Sequence, residues 1–191
     1  MLEYLVLLAL PIAAYGAWNY LKEMAAGNAK PNKVSWLMWS VAPLIAFFAE
    51  ISKGVTWAAL PILMFGLVPL IILIASFFYK KSYWKIGTVD YLCGLFSFLA
   101  LILWLATKEA NVAIVFAIVS DFSASVPTLR KVLTNPETEP LKPYLAGVAS
   151  ALTSFAAVKY WTFPEYAFPV YSALLCMFFC FLIYRPKNFQ K

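Results

Sequence analysis

Long apolar stretches, each closed by a short basic or Gly/Pro-containing polar stretch, follow one another along the whole 191-residue chain. A helix that crosses the hydrocarbon core of a bilayer needs roughly 20 mostly apolar residues. By that measure the pattern predicts seven spanning helices, at about 2–21, 34–52, 56–79, 87–106, 110–131, 143–160 and 164–184. Nearly every residue is used, and no soluble domain, long linker or low-complexity tail is left over. The first stretch carries Glu3 and lacks a basic flank, so it is expected to stay as a span and not to be cleaved as a signal peptide.

Composition turns a helical reading into a membrane one. With 63% hydrophobic, 18% aromatic and 13% charged residues and a mean hydropathy of +0.79, the chain has more apolar surface than a soluble domain of this size can hide. The fold class expected is an all-α integral membrane protein.

Charge then orients it. With the N-terminus outside and the C-terminus inside, only Lys53, Lys108 and Lys159 of the fifteen lysines and arginines fall on the outer side. The rest, among them Lys22, Lys80, Lys81, Arg130, Lys131, Lys187 and Lys191, fall inside, as the positive-inside rule requires. These inner cations account for the net charge of +6 through contact with anionic head groups, and no nucleic-acid partner is needed. The plasma membrane is the expected location. Trp18, Trp36, Trp39 and Trp84 fall near inner span ends and Trp57, Trp104 and Trp161 near outer ones, where interfacial belts are built. Cys93, Cys176 and Cys180 lie in apolar stretches, and a chain with no histidine offers no zinc set. No metal or cofactor is expected.

Sliding the sequence against itself by 108 positions pairs span one with five, two with six and three with seven, and leaves span four alone. Leu21-Lys22 then meets Leu129-Arg130, Leu37 meets Leu145, Phe47 meets Phe155 and Pro61 meets Pro169. Three spans per repeat is odd, so a single linker helix is needed for both halves to share one orientation. The expected organisation is a three-helix repeat over 1–83, a linker helix over 84–109 and a second repeat over 110–191, a 3+1+3 arrangement.

That layout resembles the SWEET and PQ-loop superfamily of small transporters. The motif-level likeness rests on Val126-Pro127-Thr128-Leu129-Arg130-Lys131 followed by Asn135-Pro136-Glu137-Thr138-Glu139, with Thr128 standing where the family has Gln. In the first half Trp18-Asn19-Tyr20-Leu21-Lys22 occupies the matching place, with Asn19 where the family has Pro. The resemblance implies a small-solute carrier working by alternating access. Sugar carriers of that family tend to place Trp and Asn in a central cavity. Here the tryptophans are expected at interfaces, which weakens a sugar assignment; a cationic or zwitterionic solute, or a proton alone, suits a lone midplane carboxylate better.

Two features carry that function in the residues themselves. Proline removes a helical hydrogen bond, and Pro11, Pro43, Pro61, Pro69, Pro127 and Pro169 all fall within predicted spans, in both halves. Pro11, Pro43, Pro61, Pro127 and Pro169 are the candidate hinges. Asp121 lies twelve residues from Glu109 and nine from Arg130, which at 1.5 Å per residue puts it near the midplane. A carboxylate there costs roughly 2.5–3.5 kcal/mol and commonly marks a pathway. It is the candidate group for substrate or proton.

Ser125 and Thr128 follow Asp121 on the same side of the helix, and Asn19, Tyr15 and Ser172 are candidates for facing walls. Tyr171, Ser150, Thr153 and Ser154 fit packing as well as binding. Asp90 is expected to cap span four, Glu165 and Lys159 to be solvated outer charges, and Lys22, Arg130 and Lys131 to be orientation signals. Catalysis is not expected, because the chain has no P-loop, no dinucleotide fingerprint and no Gly-x-Ser-x-Gly elbow. The function expected is a small-solute carrier, proton-linked or not. A capture module similar to vitamin-binding transporter subunits, or a structural membrane protein without a path, are the alternatives.

Overall fold

The computed structural model describes residues 2–79, 85–107 and 109–185. They form seven α-helices and no strand. These are α1 (Ala9–Ala26), α2 (Lys33–Ser52), α3 (Leu60–Ser76), α4 (Thr88–Thr107), α5 (Ala110–Thr134), α6 (Leu141–Phe155) and α7 (Phe163–Tyr184). Short 3-10 stretches at Leu2–Leu8 and Trp57–Ala59 lead into α1 and α3. Five helical segments, Tyr4–Ala26, Lys33–Ser52, Trp57–Ser76, Asn111–Thr134 and Phe163–Tyr184, are long and apolar enough to cross a membrane. The surface agrees: Phe48, Ile74, Phe122, Leu152 and Phe181 point outward, while Asn32, Asp121, Ser125, Thr128 and Ser150 are buried. Apolar outside and polar inside is the arrangement a lipid solvent selects. The chain is a membrane protein.

Local chemistry sets the helix ends. Gly27, at φ 85°, closes α1 in the left-handed conformation that glycine adopts freely, so the helix ends at Ala26, five residues beyond the predicted end at 21. Asn32 caps α2, its Oδ1 accepting from the amides of Val34 at 3.1 Å and Ser35 at 3.2 Å. Its Nδ2 donates to Asp90, which sits in the first turn of α4 and also accepts from the Gly87 amide, so the starts of α2 and α4 are tied together. Asp90 is the helix-start carboxylate expected.

Span six differs from expectation. The predicted 143–160 is helical only to Phe155, giving α6 15 residues and a length of about 22 Å, short of a bilayer core. The chain beyond α6 is held by Glu165. It is buried, and its Oε2 accepts from three successive amides, Lys159 at 3.0 Å, Tyr160 at 2.8 Å and Trp161 at 3.1 Å. That grip draws the chain into a turn with Trp161 at φ 51°, a conformation a side chain such as Trp rarely takes. Glu165 is therefore a structural carboxylate and not a solvated surface charge.

The bundle has two ends. One, here the A end, carries the loops 27–32 and 135–140; the other, the B end, carries 53–56 and 156–162. α1 packs on α3 and α6, α2 on α3 and α5, and α7 on α5 and α6, with α4 against α5 and α2. Small residues allow the close approaches: a Cβ on Gly16 would sit 2.9 Å from Ala146 Cβ, so α1 and α6 meet at near-backbone distance.

Candidate functional site

α1, α2, α3, α5, α6 and α7 all contribute to the wall of one central cavity of about 120 Å³, room for several waters or a small solute. α5 supplies a single residue to it, Asp121. The Tyr171 hydroxyl on α7 donates to Asp121 Oδ2 at 2.7 Å, and among the described residues Oδ1 accepts no hydrogen bond. Ser172 and Ser150 are the other small polar groups on the wall, and Ser150 Oγ has no hydrogen-bond partner among the described residues. Most of what remains is apolar or aromatic, including Phe65, Phe168, Phe179, Trp36 and Trp39.

Beside the cavity, small residues pack on a large one, Ala42, Ala46, Ile62 and Ala117 against Phe168. The A end carries a polar knot. Glu139 pairs with Lys131 and accepts from the Tyr20 hydroxyl at 3.2 Å and the Tyr144 hydroxyl at 2.9 Å. Lys131 Nζ also donates to the Lys30 carbonyl at 2.6 Å, and the Lys30 amide donates to the Thr138 carbonyl at 3.1 Å. The knot thus joins α1, α5, α6 and both A-end loops. Lys131 is fully buried in an ion pair and is not a surface orientation signal, whereas Lys22 and Arg130 are exposed.

Of the six polar residues singled out from the sequence, Asp121 and Ser172 line the cavity. Ser125 and Thr128 form the polar stripe expected beyond Asp121, but the stripe faces α2. Ser125 Oγ donates to the Asp121 carbonyl at 2.8 Å and accepts from the Trp39 indole at 3.1 Å, and Thr128 donates to Ser35 Oγ at 3.0 Å. Tyr15 and Asn19 lie apart from the cavity. Tyr15 is exposed on the outside of the bundle, and Asn19 turns back to the Tyr15 carbonyl at 3.0 Å. α1 presents Ala13, Gly16 and Ala17 to the cavity instead.

The prolines divide by position. Pro43, Pro69, Pro127 and Pro169 lie inside helices. Pro61 is in the first turn of α3, and Pro11 is the third residue of α1; both stand where 3-10 winding gives way to α winding. A missing N–H in a first helical turn breaks no α-helical bond, so these two do not interrupt a helix as expected.

No family model, curated protein or solved structure matches this chain.

Two groups escaped the sequence reading. Trp36 and Trp39 are buried at 5% and 7% exposure and line the cavity, so they are not interfacial anchors; Trp18, Trp57 and Trp161 are exposed as a belt requires. Trp84 and the Trp104 side chain lie outside the described residues, as do Lys80, Lys81, Lys108, Lys187 and Lys191. The second is Glu50, near the B end of α2. It is 0% exposed, and neither carboxyl oxygen has a hydrogen-bond partner among the described residues.

Proposed function

We propose that the protein is a small-solute membrane carrier working by alternating access, with the Asp121 cavity as its binding site. The observation that carries this reading is the cavity itself: six helices line a space with one carboxylate on its described wall.

Two 108-residue-spaced units make alternating access a natural motion. α1 and α5 end at Ala26 and Thr134, α2 and α6 begin at Lys33 and Leu141, and α3 and α7 end at Ser76 and Tyr184, each pair 108 apart. The packing pairs also correspond: α1 on α3 with α5 on α7, α2 on α3 with α6 on α7, and α1 on α6 with α5 on α2. Lys30 and Thr138, whose backbones bond to each other, are 108 apart as well. These agreements support two repeats joined by α4, which is the 3+1+3 layout of the SWEET and PQ-loop superfamily. The A end is the cytoplasmic side in this reading, with both termini placed by the positive-inside bias, in the cell membrane. Pro43, Pro127 and Pro169 are then the helix-interior flexure points. A proton on Asp121 is one way to couple transport, and solute and lipid are the partners.

Proteoliposomes loaded with a labelled panel of amines, amino acids, sugars and nucleosides test the reading. Wild type releases one class faster than protein-free vesicles, and Asp121→Asn does not. Release of no class by wild type means a capture or structural protein.

A further inference from the structure

We infer that the solute held in the cavity is a small organic ammonium, a compact monovalent cation with an apolar shell; the inference rests on the carrier reading and names its substrate class. Asp121 is the one formally charged side chain on the described wall, and among the described residues only Tyr171 donates to its carboxyl, at Oδ2. Lys131 and Glu139, beyond Tyr144, cancel each other as a pair. The cavity therefore has an uncompensated negative group, which repels anions and attracts one positive charge.

The rest of the wall selects the kind of cation. An unbroken run of rings borders the A-end side: Trp36 to Trp39 at 5.3 Å between centroids, Trp39 to Phe179 at 5.7 Å, and Phe179 stacked on Tyr144 at 4.6 Å. All four rings line the cavity, and Phe65 and Phe168 extend the aromatic wall. A cation within about 6 Å of an aromatic centroid is attracted to the ring, and an alkylated ammonium tolerates the apolar wall where a bare inorganic ion does not. A sugar fits poorly. Its many hydroxyls need partners, and the described wall offers Asp121, Ser150, Ser172, the Tyr144 hydroxyl already bonded to Glu139, and the Trp36 indole N–H in return; each hydroxyl left unpaired costs free energy. The unpartnered Ser150 hydroxyl suits an ammonium that also carries one hydroxyl or carbonyl group.

The test is a binding titration of the purified full chain in detergent with choline and with 3,3-dimethylbutan-1-ol, which has the same shape and hydroxyl but no charge. Glucose, glycine and tetramethylammonium complete the set. Choline is expected to bind wild type about tenfold or more tighter than its neutral isostere. Asp121→Asn is expected to remove that preference, weakening choline more than the isostere. Because the preference is read on wild type, a poorly folded variant does not spoil the test. Equal binding of choline and the isostere, or tighter binding of glucose, overturns the ammonium inference while leaving a working solute cavity. Binding of none of the compounds overturns the inference and counts against the carrier reading, which the vesicle-release experiment then decides.

Discussion

The Tyr171 hydroxyl lies 2.7 Å from Asp121 Oδ2, so the one carboxylate on the cavity wall is held by a donor from the facing helix α7. The bond fixes the direction of the free oxygen and ties α5 to α7. Tyr171→Phe keeps the ring and removes the donor. It is expected to lower stability by about 1–3 kcal/mol, the cost of a buried acceptor losing its partner, and to weaken solute binding by misdirecting Oδ1. Thermal melting in detergent reads the first effect and titration the second.

At the A end, Glu139 is held by Lys131 and two tyrosines. Lys131→Met leaves a buried carboxylate without its counter-charge and is expected to cost about 3–5 kcal/mol. The double change Lys131→Met with Glu139→Gln is expected to recover most of that loss, because no lone charge remains. A double-mutant cycle on melting checks the coupling, and strict additivity of the two single effects contradicts it.

Glu165 organises the 159–161 turn through three amide bonds. Glu165→Ala frees all three amides together. The expected outcome is a loss of about 2 kcal/mol or more and faster hydrogen exchange at Lys159, Tyr160 and Trp161, with exchange in the A-end loops unchanged.

Glu50 has the opposite balance. Its carboxyl is buried, and among the described residues neither oxygen has a hydrogen-bond partner. Replacing it with an apolar residue of similar volume removes an uncompensated polar group, so Glu50→Met is expected to raise stability by about 1 kcal/mol or more. A melting temperature lower than wild type for Glu50→Met means that Glu50 makes a favourable contact in the membrane.

Asp121 was legible in the sequence because a carboxylate in the middle of an apolar helix is a signal along one dimension. Its depth follows from the rise per residue alone. Glu50 carried no such signal. It stands three residues before Lys53-Gly54, where the pattern reads as a membrane surface, and only the packing of α2 against its neighbours turns it inward. Trp36 and Trp39 were misread for a similar reason. They lie in the first turns of α2, a belt position in a lone span, but the Glu139 knot draws the loops 27–32 and 135–140 together over them. The seven helices were legible, since apolar length marks them, but five segments and not seven are long and apolar enough to span; the end of α6 was not legible, because the chain beyond it is held by a residue ten positions further on. Tyr15 and Asn19 failed as wall residues because Gly16 lets α1 approach α6 along its small-residue face, which leaves those two on the other side.

Cys176 on α7 lines the cavity and offers a reporter inside it. In right-side-out and inside-out vesicles, with Cys93 and Cys180 replaced by serine, a membrane-impermeant maleimide added to the accessible side measures whether that side opens to the cavity. Alternating access predicts labelling of Cys176 from both sides, and protection by bound solute from both. Labelling from neither side, or from one side alone under every condition, contradicts a carrier and leaves Asp121 as a carboxylate sealed into the packing of α5 on α7.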